Sequence, residues 1–410
     1  MTQHGAEDLY AENHPQSFWR LLTEPAPSEA LWAAAVHAAA AVLPPAARVA
    51  GADIDRLLFN TLGEGQFGPN HWQLSPPRQA YYMVKPLIPR PVTRGLRRLC
   101  RGSTARSLLG WPIEERYARF QWQVVRELLK LTGRHTLSHI HFWPEGRPFA
   151  FAITHDVETG EGQRFVRAVA DLDASYGFRS SFNFVPEGYR LDWRLFDELQ
   201  NRGFEVGIHG LNHDGKGFRS YDEFMRRAER INHYLKALGV VGFRAPLMHR
   251  NPAWLQALDI EYDLSFFDSD PYEPMPGGTM SPWPFMMGRF VELPYTLVQD
   301  HTLTEVLRES TPNLWLQKVD FIRDYNGLAL VITHPDYLRS AKTWQVYADF
   351  LRAMRDIGDF WHALPREVAR WWRGRATAES VITLAGGVSR TIAAPELAEL
   401  DPVANAVAAG

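Results

Sequence analysis

Two acids separated by one residue, in Thr154-His155-Asp156-Val157-Glu158, stand where an apolar run ends. The period of two along a strand aims both carboxylates at one side and Val157 at the other, so one acid could hold a metal while its neighbour takes a proton. The same pair could instead cap a following helix through Thr159 or Glu161. A second run, Phe204-Glu205-Val206-Gly207-Ile208, leads straight into His209-Gly210-Leu211-Asn212-His213. Two imidazoles four residues apart can reach a common cation. Phe243-Arg244-Ala245-Pro246 sets a guanidinium just past a third run, suited to holding a carboxylate by paired hydrogen bonds. The stretch 328–333 is almost continuously apolar and ends in His334, a ring that titrates near neutral pH. Taken singly, each of these also fits an ordinary ion pair or a hydrogen-bonded histidine.

The elements that must position them follow from the hydrophobic pattern. Short β-rich runs occur at 149–154, 180–185, 204–208, 240–243, 262–266, 290–293 and 328–333, with amphipathic helical stretches such as 192–201, 221–238 and 343–354 between several of them. That alternation is the grammar of parallel β/α units. Seven strands in this order predict an α/β fold, an incomplete (β/α)7 barrel lacking one unit. Asp156, Glu158, His209, His213, Arg244 and His334 all fall at or just beyond the C-terminal ends of predicted strands, the face on which barrel enzymes build their sites. Six coincidences on one rim are a poor explanation, so the pattern reads as catalytic.

Residues 1–142 read as a mainly helical region. An Ala-rich helix follows Ser28, and Tyr117, Phe120, Val124, Leu128 and Leu131 recur at the spacing of one helix face. Within the region, Lys85, Arg90, Arg94, Arg97, Arg98, Arg101 and Arg106 alternate with apolar residues and prolines. The segment 85–106 reads as a solvated basic flank or as a peripheral contact with an anionic membrane surface. The turn-rich stretch Trp143-Pro144-Glu145-Gly146-Arg147-Pro148 marks a boundary, giving 1–142, a barrel over 143–375, and a tail over 376–410 with one strand-like run at 380–384.

The bulk numbers narrow the class. A 410-residue chain with 45% hydrophobic and 22% charged residues is long enough for a sizeable core and too apolar for wholesale disorder. A net charge of −3 supplies no field to gather nucleic acid. The single Cys100 cannot form an internal disulfide, and residues 1–12 lack the basic-then-apolar order of a secretory signal, so a cytoplasmic location is expected, peripheral to the inner membrane face if the basic segment binds lipid. The longest apolar run, 31–43, falls short of the roughly 20 residues that span a bilayer. Cys100 lies far from the strand-end histidines and no Gly-x-Ser-x-Gly elbow is present, which argues against a nucleophilic hydrolase.

Over roughly 149–372 these motifs, in this order, resemble the polysaccharide deacetylase family, the NodB-homology carbohydrate deacetylases, in its acid-Val-acid subset. The first acid stretch is similar to the family's first motif, His209 to His213 to its metal-binding motif, Phe243 to Pro246 to its arginine motif, and Ile332-Thr333-His334 to its last. The resemblance implies a glycoside hydrolase/deacetylase type of barrel and a hydrolase acting on a non-peptide carbon–nitrogen bond. Its substrate would be an N-acetylated carbohydrate, with acetate released by metal-activated water. By the same resemblance Asp156 is the general base, Glu158, His209 and His213 bind a divalent metal, most simply zinc, Arg244 orients Asp156, and His334 is the general acid. The fourth motif, which pairs an Asp with the catalytic histidine and supplies a groove tryptophan, has no clean match between 266 and 285. Asp268, Asp270 and Trp283 are the nearest candidates, and Trp283, Phe285 and Tyr295 are candidates to stack on sugar faces. Two other readings stay open: a small-molecule amidase or imidase on the same fold, and a non-catalytic carbohydrate-binding barrel.

Overall fold

The computed structural model describes residues 7–49, 51, 53–69, 71, 72, 108–275, 277–376 and 389–393. The basic segment 85–106 and the run 380–384 lie outside them. Strands are β1 (Thr136–Ile140), β2 (Ala150–Val157), β3 (Ser181–Phe184), β4 (Glu205–His209), β5 (Gly242–Arg244), β6 (Tyr262–Asp263), β7 (Phe285–Met287), β8 (Phe290–Glu292), β9 (Leu328–Thr333), β10 (Trp361–His362) and β11 (Ser389–Ala393). The longer helices are α1 (Glu29–Ala39), α2 (Ile54–Thr61), α3 (Arg116–Thr132), α4 (Gly160–Ser175), α5 (Trp193–Asn201), α6 (Tyr221–Leu238), α7 (Asn313–Asp324), α8 (Ala341–Ile357) and α9 (Pro365–Ala376).

The seven predicted strands are β2, β3, β4, β5, β6, β8 and β9, and all their pairings with one another are parallel. The fold is an α/β incomplete barrel: one curled sheet in the order β9-β2-β3-β4-β5-β6-β8, to which β7 adds an antiparallel edge and β10 a short parallel pairing with β2. Past β8 the chain bridges Phe267 through Tyr295 and Val331 through Leu297. It thereby draws the two ends of the curl together without a regular strand there. β2, β3, β4 and β9 are buried along their whole length, as expected of parallel strands covered on both faces.

Local chemistry starts the helices where the sequence suggests. Ser28, Thr159, Asp192 and Ser220 each accept an N-terminal amide of the helix that follows, supplying a partner the helix itself cannot. Thr159 thus caps α4, and the acids before it are not spent on that task. On α3, Tyr117, Phe120, Val124 and Leu128 are buried, whereas Leu131 in the last turn is 47% exposed. The helices before residue 142 pack against the barrel flank, where Asn13 exchanges two hydrogen bonds with the backbone of Met286 (2.7 and 2.8 Å) and so occupies the edge of β7. β1 pairs antiparallel with β11, joining this region to the tail. No helix among the described residues is long and apolar enough to cross a membrane.

Candidate metal centre

Parallel strands deliver their C-terminal ends to one rim, and the register fixes who meets whom. Asp156 on β2 lies opposite Asn183 on β3, and His209 on β4 opposite Arg244 on β5. Asp156 is buried, and its Oδ1 accepts hydrogen bonds from Asn183 Nδ2 and Arg244 Nη1, both at 2.9 Å. The same Arg244 nitrogen donates to Thr154 Oγ1 at 3.0 Å, while Nε donates to the Leu264 carbonyl at 3.0 Å. The guanidinium therefore touches the carboxylate through one nitrogen, in place of the paired contact its type allows. Burial alone would raise the Asp156 carboxyl, but the charges of Arg244, His209 and His334 and the bond from Asn183 outweigh it and hold it at about 2. Asp156 is ionised at neutral pH with Oδ2 left outside the Asn183 and Arg244 bonds.

Glu158, His209 and His213 converge, their ligand atoms all within 4.8 Å of one another. His209 ends β4, and Gly210, at φ +63°, turns the chain so that His213 returns beside it, ring centroids 5.3 Å apart. The loop is braced by Asn212 Nδ2 donating to the Glu187 carbonyl (3.1 Å) and Glu187 N–H donating to the Leu211 carbonyl (3.0 Å). His209 Nδ1 donates to the Arg244 carbonyl at 3.1 Å, which leaves Nε2 as the nitrogen with a free lone pair. Burial pushes this ring down to about 4, so it is a neutral donor at pH 7. Burial would raise Glu158, but contact with His213 (Nε2 to Oε1, 3.0 Å) and the charges of His334 and His209 hold it well below the usual carboxylate range. Two imidazoles and one carboxylate, one ring oriented by a backbone carbonyl, are a donor set that could hold a divalent metal.

His334 completes the rim just past β9. Its Nδ1 and its backbone N–H both bond Asp300, at 2.7 and 2.9 Å, on the two carboxylate oxygens. Nε2 lies 3.9 Å from Glu158 Oε1. Burial would lower the ring, yet the charge and hydrogen bond of Asp300, with Glu158 and Asp156 nearby, raise it to about 10, so it carries a proton at neutral pH.

All six sequence-predicted site residues lie together on this rim. The acid partner of His334 is Asp300, not Asp268 or Asp270. Asp268 is held by Lys318 Nζ at 2.7 Å, and Asp270 accepts from the Tyr295 hydroxyl at 2.9 Å. The proposed sugar-stacking aromatics do not line the rim. Trp283 is buried against Phe18 and Phe142 and donates to the Asn326 carbonyl, Phe285 packs on Tyr10, and the buried Tyr295 hydroxyl is taken by Asp270 and Glu273. The Trp283 and Phe285 rings were drawn into the seam between the barrel and the preceding helices, while Tyr295 packs on Phe267 within the barrel. Asn183 and Asp300 escaped the sequence reading. Asn183 left a faint signal, a polar residue amid the apolar Phe182 and Phe184, whereas Asp300 sits after an irregular segment and left none.

No family model matches the sequence, and no curated protein matches it. Among solved structures, similar ones include a Mycobacterium smegmatis protein assigned as a polysaccharide deacetylase (20% identity, covering 57% of this chain and 93% of the other, TM-score 0.45). Others are the Puue allantoinase (13%, 58% and 94%, TM-score 0.46) and a CE4-family pseudoenzyme from Bacillus anthracis (15%, 55% and 66%, TM-score 0.33). Solved structures similar to this chain thus include polysaccharide deacetylases.

Proposed function

We propose that this chain is a metal-dependent hydrolase that removes the N-acetyl group of a carbohydrate and releases acetate. One observation supports the reaction class above the others: a three-donor metal set, an ionised acid and a protonated histidine, the last two each held by a separate buried partner, share one rim. A divalent ion held by Glu158, His209 and His213, most simply zinc, would acidify water and polarise an acetamide carbonyl. Asp156 takes the water proton on Oδ2, while Arg244 and Asn183 keep the carboxylate oriented through Oδ1. His334, kept protonated by Asp300, gives its proton to the departing sugar amine, so that amine and not amide is the leaving group. The proton accepted by Asp156 balances the one lost by His334, and exchange with solvent resets both.

The N-acetylated carbohydrate rests on the ordered motif resemblance; the reaction class rests on the geometry. A small-molecule amidase would use the same rim, and a binding barrel would have no use for a proton donor and acceptor held so closely. Acetate release from N-acetylated sugars, measured with metal-stripped and zinc-reloaded protein, tests the proposal. Release should vanish on stripping and return on reloading; equal rates in both samples would refute it.

A further inference from the structure

Among the described residues a second group of metal-ligating side chains stands beside the first: Asp300, His301 and His334, whose ligand atoms also all lie within 4.8 Å of one another. The segment after β8 supplies Asp300 and His301 in succession, and the His301 backbone N–H bonds its neighbour's Oδ1 at 2.7 Å. The His301 ring stacks on Tyr337 (centroids 5.5 Å, planes 24° apart) and stands edge-on to His334 at 6.0 Å. Packing on both sides thus presents an imidazole to the Asp300–His334 pair. One carboxylate and two imidazoles repeat the donor chemistry of the first set.

We propose that Asp300, His301 and His334 form a second, weaker divalent-cation site whose filling switches the enzyme off. The switching half rests on the proposed function; the binding half does not. A cation entering here replaces the proton between His334 Nδ1 and Asp300 Oδ1, and that proton leaves to solvent. The two atoms, 2.7 Å apart, must part to roughly 3.3 Å to accommodate metal bonds of about 2.0–2.2 Å at tetrahedral angles. The nearness of Glu158, with Oε1 3.9 Å from His334 Nε2, places the second ion close to the first, and like charges oppose joint occupancy. Both effects make this site the weaker one. With a cation on Nδ1 the ring keeps only its Nε2 proton, whose loss would leave an imidazolate; it is then a far weaker acid than the imidazolium, and turnover falls although the first site remains filled.

The test is a zinc titration of the full chain, reading bound equivalents and turnover together. Wild type should bind two equivalents, the second at least tenfold more weakly, with turnover highest near one equivalent and falling at least tenfold as the second fills. His301→Phe keeps a ring against Tyr337 but removes both ligand nitrogens; it should bind one equivalent and lose the fall in turnover at excess zinc. His213→Ala should lose the tight equivalent and keep the weak one. Saturation of wild type at one equivalent, or two equivalents on a folded His301→Phe chain, would overturn the second site. A His213→Ala chain that kept the tight equivalent would instead overturn the assignment of the first site, which distinguishes the two failures.

Discussion

Asp156 is held by Arg244 and Asn183 and His334 by Asp300, and this decides what single substitutions should do. Removing an imidazole from the first set, in His209→Ala or His213→Ala, should abolish retention of metal through gel filtration. Asp156→Asn and His334→Ala should retain metal while turnover falls about 100- to 10,000-fold, the usual worth of a positioned proton carrier; loss of metal in these two would count against their assigned roles. Asp300→Asn removes the charge that raises the His334 ring to about 10. The proton is then lost at lower pH, so the alkaline limb of kcat/KM should move toward neutrality, and an unmoved limb would dissociate Asp300 from the acid. At this scale the sequence was informative wherever a functional residue closes a strand or follows it directly, as Asp156, His209, Arg244 and His334 do. It was silent on Asp300, because a partner 34 positions before His334 across an irregular segment leaves no spacing to read.

Strand ends position the site only because two glycines let neighbouring backbones and side chains close in. A Cβ at Gly207 would collide with Asn183 Oδ1, the amide that orients Asp156. Gly207→Ala should therefore lower turnover more than zinc affinity. Gly210 has φ +63°, and a Cβ there would meet the Pro246 ring. Gly210→Ala should cost roughly 1–3 kcal/mol of stability through backbone strain and, by moving the His209–His213 loop, weaken zinc binding more than it changes the rate of the loaded enzyme. Calorimetric zinc titration of both variants beside their turnover separates the two effects, and equal zinc affinities would contradict the loop argument. The barrel strands were legible because fully buried parallel strands read as apolar runs such as 328–333. The edge strand β7 was not, since Pro284 and Gly288 hold its apolar run to three residues, below the four to eight that mark a strand, and β10 was not read either.

The N-terminal helices are fastened to the rim by a buried ion pair that no local pattern announces. Arg250, just past the loop following β5, lies over the rings of Phe266 and Phe267 and binds Glu64 through Nε at 2.9 Å and through Nη2; Glu64 also accepts from the Gly278 amide at 2.6 Å. Burial would raise the Glu64 carboxyl, but Arg250 and His71 hold it at about 2. A carboxyl lowered from its ordinary 4.5 contributes stability that is complete above that value and lost as pH falls from there toward 2. Glu64→Gln should cost roughly 3–5 kcal/mol near neutral pH by leaving Arg250 buried without its counter-charge, and should flatten the acid limb of a denaturation curve between pH 4.5 and 2. An unchanged acid limb would place the acid sensitivity elsewhere.

All of this converges on where the first equivalent of metal goes. A crystal of the chain loaded with one equivalent of zinc, with anomalous differences collected at the zinc edge, reads that position directly. A single peak should lie about 2.0–2.2 Å from Glu158, His209 and His213, with Asp156 alongside and outside bonding distance; a peak away from these three side chains would rule out the metal centre proposed for them.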